Sequence, residues 1–148
     1  MSTMTEFLRK QKVAERNKDI DMSQIKREWL SAIKGLFQNT KQWLSEAQRE
    51  GLIDIKEEQV DIYEERLGKY RAPSLSLKTG KKTVKIRPIG KTIIGADGRV
   101  DMESPKGAFV LLYLSDKDVW VHGRGSRPAD FQELDKALFE NLLKRLLA

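Results

Sequence analysis

Hydrophobic residues recur along this chain with two different periods, and the change between them falls at Gly51. Upstream, Trp29, Ile33, Leu36, Thr40, Trp43 and Ala47 follow one another in steps of four and three, with Leu30, Phe37 and Leu44 at every seventh residue beside them. This spacing lays one broad apolar face along an α-helix. It predicts a helix over 22–50, opened by Asp21 or Ser23 as cap and closed by Gly51. The face is wider than a two-stranded coiled-coil seam, so its expected use is to cover a sheet or another helix. Gly35 in mid-helix costs roughly 1 kcal/mol relative to alanine. Ahead of it, residues 1–20 place Phe7, Leu8 and Val13 among Arg9, Lys10, Lys12 and Arg16. So short a helix is marginal alone, and the stretch reads as a mobile basic segment or a partner-dependent first helix, ending in a polar break at Asn17, Lys18 and Asp19.

Beyond Gly51 the apolar positions alternate with polar ones, as in a sheet with one face buried. Short strands are predicted over 52–56, 59–64, 74–79, 83–88, 92–95, 99–103, 108–114 and 119–122. Turn chemistry separates them at Thr79-Gly80, Asp97-Gly98, Pro105-Lys106-Gly107 and Ser115 to Asp118. The run Phe109 to Leu114 is apolar on both faces and predicts a central strand covered from both sides. Pro128, with Asp130 and Glu133 three residues apart, resembles a capping box, and Phe131, Leu134, Leu138, Leu142 and Leu146 continue as a helical stripe. A C-terminal helix over 128–147, packed on the sheet, follows. The fold class is therefore α+β: one domain over 1–148, with about seven short antiparallel strands over 52–122 between a long amphipathic N-terminal helix and a C-terminal helix.

Composition narrows the chemistry. Of 148 residues, 39% are hydrophobic and 34% charged, enough patterned apolar residues for one core. The absence of cysteine excludes disulfides, thiolate metal sites and cysteine nucleophiles and fits a reducing compartment. The longest apolar run, 108–114, is too short to cross a bilayer, and the first residues lack the apolar core of a secretory signal. The expectation is a cytoplasmic protein. Its net charge of +6 is segregated: six acids and one base from Gly51 to Glu65, then nine bases and no acid from Arg66 to Ala96.

No catalytic constellation emerges. His122 is the only histidine, so a multi-histidine metal centre is excluded, and Ser126 beside it lacks a nucleophile-elbow pattern. Asp97, Asp101 and Glu103 do not have calcium-loop spacing. Glu57-Glu58 and Glu64-Glu65 are sequential, and on a strand they face opposite ways. The chain is expected to be noncatalytic, without metal or cofactor.

Two readings of function remain. In the first, the chain is an interaction module that contacts protein partners or self-associates through whatever part of the Trp29, Ile33, Phe37, Trp43 and Leu44 face the sheet leaves open. In the second, it binds anions, either a nucleic-acid backbone or an acidic lipid head group, through Lys78, Lys81, Lys82, Lys85 and Arg87, with Lys91 at the end of that segment. About seven strands followed by a C-terminal helix, with Lys78 and Lys85-x-Arg87, is similar to the pleckstrin-homology type of fold. That resemblance implies phosphoinositide binding by those cations. Against it, Lys85 and Arg87 alternate with Val84 and Ile86, as on any solvated strand face, where acids of 54–64 could neutralise them. A second anion candidate is Arg124 and Arg127 around the glycines that precede the last helix.

Overall fold

A computed structural model describes residues 3–91, 97–123 and 130–148, with 18–21 described by their backbone alone. The helical period extends further back than its apolar residues suggest. Helix α1 runs without a break from Thr3 to Trp43, 41 residues or roughly 60 Å. The polar residues at 17–19 do not stop it, because no proline there removes a backbone hydrogen bond and no glycine loosens the backbone. The chain breaks at Leu44, resumes as the short α2 (Ser45–Arg49), and ends at Gly51, whose φ of 72° lets Leu52 N–H reach back to the Ala47 carbonyl at 2.9 Å.

Seven antiparallel strands then form one sheet in sequence order: β1 (Asp54–Glu64), β2 (Gly68–Thr79), β3 (Lys82–Gly90), β4 (Gly98–Ser104), β5 (Gly107–Leu114), β6 (Val119–Gly123) and β7 (Phe131–Glu133). The fold is α+β, with α1 at one end of the chain and α3 (Lys136–Leu147) at the other. The two strands predicted over 52–56 and 59–64 are one, and β2 begins six residues before the predicted Ser74. Both extensions belong to a single hairpin in continuous register from Asp54↔Lys78 to Glu64↔Gly68. The strand predicted over 92–95 lies outside the described residues.

One face of the sheet carries Leu75, Leu77, Val84, Ile86, Val100, Met102 and Leu111, all fully buried. Both long helices pack on it. Trp29, Ile33, Leu36 and Phe37 enter from α1, and Leu138, Phe139, Leu142 and Leu146 from α3. Trp43 packs on Phe139 with ring centroids 5.3 Å apart, joining the helices. Thr40 is the polar member of the α1 stripe and is satisfied within the helix by donating to the Leu36 carbonyl at 3.0 Å.

In β2 the buried positions shift from Leu75 and Leu77 to Ala72 and Tyr70, so the far half of the first hairpin twists and turns its other face to α1. Two further expectations change on contact with the structure. Strand β5 buries Leu111 and Tyr113 under the helices, whereas Val110, Leu112 and Leu114 on its other face stay half-buried, with no helix over them among the described residues. The C-terminal helix begins at Lys136, not near 128. Residues 131–133 instead pair with β6 (Gly123↔Phe131 to Val121↔Glu133), and the cap is Asp135, in extended backbone, accepting from Leu138 N–H at 2.8 Å. An open strand edge offers these residues backbone partners sooner than a helix would.

Candidate interaction surfaces

Lys78, Lys85 and Arg87 share the open face of the sheet, with acids interleaved among them. Register sets Lys78 opposite Asp54, Lys85 opposite Glu103 and Arg87 opposite Asp101, and Arg87 Nε bonds Glu103 Oε1 at 2.8 Å. The acid that pairs with β3 thus comes from β4, not from β1 as the sequence suggested, while Asp101 is held by Arg99 of its own strand at 2.8 Å. The acids of β1 face other bases: Glu57 meets Lys41 at 3.1 Å, and Asp61 meets Arg71 at 3.4 Å. Lys82 donates to the Leu147 carbonyl at 2.7 Å, tying the hairpin tip to the end of α3, and Lys81 sits in the turn beside Gly80. Arg124 and Arg127 lie outside the described residues.

The aromatic stripe of α1 is core. Trp29, Ile33 and Phe37 are at most 1% exposed, Leu44 is buried and Trp43 is half-buried, so the sheet and α3 take up the face that the sequence offered to a partner. Trp29 is held most closely. Its Nε1 donates to the Tyr70 hydroxyl at 3.0 Å, and that hydroxyl donates in turn to Glu64, whose other oxygen accepts from Lys91 N–H at 2.8 Å. Burial, reinforced by Glu64, pushes the Tyr70 hydroxyl far above the ordinary tyrosine range.

At the same end of the sheet a cleft of about 930 Å³ opens between α1 and the strand ends, bordered by Trp120, Tyr113, Lys91, Asp97 and Asp118. Its polar groups hold one another. Asp97 accepts from the Ser115 hydroxyl at 2.6 Å and from its N–H at 2.7 Å, contacts that hold its carboxyl below the usual range. Tyr113 donates to Asp118 at 2.6 Å and is pushed up to about 12, by burial first and then by that bond. His122 is buried on the same face as its partner Leu111 but farther along the sheet from Tyr113 and Trp120, with Nδ1 3.2 Å from the Val110 carbonyl and its ring edge-on to Phe109. Among the described residues no group of three metal-ligating side chains converges, and no described helix is long and apolar enough to cross a membrane.

What remains unpacked is the first part of α1. Every residue from Thr3 to Asn17 is exposed, including Met4 at 62%, Phe7 at 55% and Leu8 at 53%. At about 100° per residue, Met4, Phe7, Leu8 and Gln11 fall in the helical sector that Trp29, Ile33, Leu36 and Thr40 occupy farther on. The face that packs on the sheet thus continues past it, exposed among the described residues. The sequence shows these apolar residues but reads as a marginal helix there, since the stretch is short and carries Arg9, Lys10, Lys12 and Arg16. At the other end of α1, a groove of about 440 Å³ lies between α2 and α3, bordered by Trp43, Leu52, Leu143 and Leu147. Leu52 is 61% exposed there. No protein-family model, curated protein or solved structure matches this chain, so these surfaces have to be read from their own chemistry.

Proposed function

We propose that the chain is a noncatalytic interaction module whose contact element is the exposed arm of α1, Thr3–Asn17. One observation carries this reading: fifteen consecutive helical residues, with Met4, Phe7 and Leu8 in one sector, are all exposed to solvent. A helix of that length without tertiary packing is marginal in water, because most helical stability in proteins comes from burying an amphipathic face. Burial against another molecule would provide that missing packing. The core placement of Trp29, Ile33 and Phe37 moves the contact surface away from the middle of α1 and out to the arm. The rival reading, anion binding through Lys78 to Arg87, is disfavoured by the acids set opposite Lys78, Lys85 and Arg87.

The test is a comparison of the full chain with one lacking residues 2–17. The shortened chain is expected to keep its thermal midpoint, since the arm contributes nothing to the core. It is expected to lose the associations that the full chain makes, measured by cross-linking in cells and by sedimentation of the purified protein. Associations that survive the deletion intact would refute the proposal. A salt-sensitive affinity for heparin or duplex DNA, lost on changing Lys85 and Arg87 to glutamine, would favour the rival.

A further inference from the structure

Taking the arm as the contact element, we infer that its partner is a second copy of this chain, and that the arm of each copy docks in the α2–α3 groove of the other.

The two surfaces match in kind. The arm carries an apolar row, Met4, Phe7 and Leu8, and the groove is bordered by Trp43, Leu52, Leu143 and Leu147. Beside the apolar row, one flank of the arm carries Arg9, Lys12 and Arg16 at i, i+3 and i+7, with Thr5 in the same sector. The groove has charges of both signs: on its α2 side Glu46 and Glu50 at i and i+4, both exposed, with Arg49 beside them, and on its α3 side Lys136, Glu140 and Lys144. None of Arg9, Lys12, Arg16, Glu46 and Glu50 makes an ion pair among the described residues. The basic row of the arm thus has two acids to meet on the α2 side of the groove, a charge match of the kind that fixes register in an interface.

Their placement also fits a closed dimer. Arm and groove lie at opposite ends of one continuous helix, with Leu8 and Trp43 roughly 50 Å apart along it. When two such helices lie antiparallel so that Leu8 of one copy meets Trp43 of the other, the reverse contact forms through the same two-fold axis, near residues 25 and 26. Such an arrangement is isologous and stops at two copies.

Area favours the reciprocal form as well. With roughly half of each of three large side chains exposed, one arm offers on the order of 300 Å² of apolar surface. A single docking event buries about twice that, counting both sides, which is the size of an ordinary crystal contact, whereas two reach about 1,200 Å², the lower bound for a specific interface.

Sedimentation across micromolar to submillimolar concentrations tests this. The full chain is expected to move from 17.0 kDa towards twice that mass. Phe7→Glu on the arm and Leu52→Glu at the groove, both at exposed positions, should each leave a monomer. Reversing Glu46 and Glu50 to lysine should weaken dimerisation at least tenfold, and adding Arg9→Glu and Lys12→Glu to the same chain should restore it. A monomer throughout the range would overturn the inference, and so would a dimer indifferent to Leu52→Glu or a charge reversal that is not rescued. A chain that stays monomeric but loses its cellular associations when residues 2–17 are removed would overturn the second copy while sparing the arm as contact element. If those associations also survive the deletion, both readings fall.

Discussion

Replacing Gly98 by alanine adds one methyl group at the most crowded point of the core. An ideal Cβ on Gly98 would stand 2.2 Å from Trp29 Cζ3 and 2.6 Å from Cη2, where carbon atoms normally rest about 3.5–4.0 Å apart. The indole would have to withdraw by about 1 Å or more. It has little room to do so, being fully buried, tilted against Trp120 at 5.8 Å and tied to the Tyr70 hydroxyl at 3.0 Å. Overpacking of this kind costs about 1–3 kcal/mol, and a strained or broken Trp29–Tyr70 bond adds about 1 kcal/mol. We expect a loss of roughly 2–4 kcal/mol, which for a chain of this size lowers the thermal midpoint by on the order of 10 °C. Gly98 has no positive φ, so on backbone entropy alone alanine should stabilise by about 0.4–1 kcal/mol, and the sign of the effect discriminates between the two causes. Urea unfolding followed by far-ultraviolet circular dichroism measures it. The same substitution in a Trp29→Leu background should cost less than about 1 kcal/mol, because the clashing ring is gone. A Gly98→Ala chain within about 0.5 kcal/mol of the parent, or a full penalty persisting without Trp29, would refute the reasoning.

Gly35→Ala should act in the opposite direction, since a Cβ there meets nothing within 4 Å; a gain of about 0.5–1 kcal/mol in urea unfolding is expected. Asp135→Ala removes the acceptor for Leu138 N–H and should cost about 1 kcal/mol, seen as a lower urea midpoint and fraying of the first turn of α3 in hydrogen exchange. Tyr113 titrates higher folded, at about 12, than the roughly 10 of an unfolded chain, so the stability it contributes is complete below about pH 10 and is lost between there and about 12. Urea midpoints measured across that window should fall with rising pH, and Tyr113→Phe should make the fall shallower.

The elements were legible because each one marks its own buried face. The three-and-four spacing of Trp29 to Ala47 and the alternation in β3, where Val84 and Ile86 point inward and Lys85 and Arg87 outward, needed no knowledge of partners. The interaction surface was less legible. The Trp29 to Leu44 face looked like a candidate contact because a sequence shows that a face is apolar and not what covers it. The arm looked marginal because it is short and its few apolar residues stand among Arg9, Lys10, Lys12 and Arg16, and the groove joins residues of α2 to residues of α3 almost a hundred positions away.

By itself, then, the sequence determined the change from helical to extended chain at Gly51, the apolar side of α1 over 29–47 and of β3, the apolar stripe of α3, and that cysteine and multi-histidine chemistry are excluded. Those properties follow from local sterics and from solvent acting residue by residue. Tertiary structure alone decided that Asp101 and Glu103 stand opposite Arg87 and Lys85, that Gly98 makes room for Trp29 where the sequence suggested a turn, and that residues 131–133 join an edge strand before α3 begins. Each of those outcomes depends on pairing between groups distant along the chain, whose free energy exists only once the backbone has brought them together.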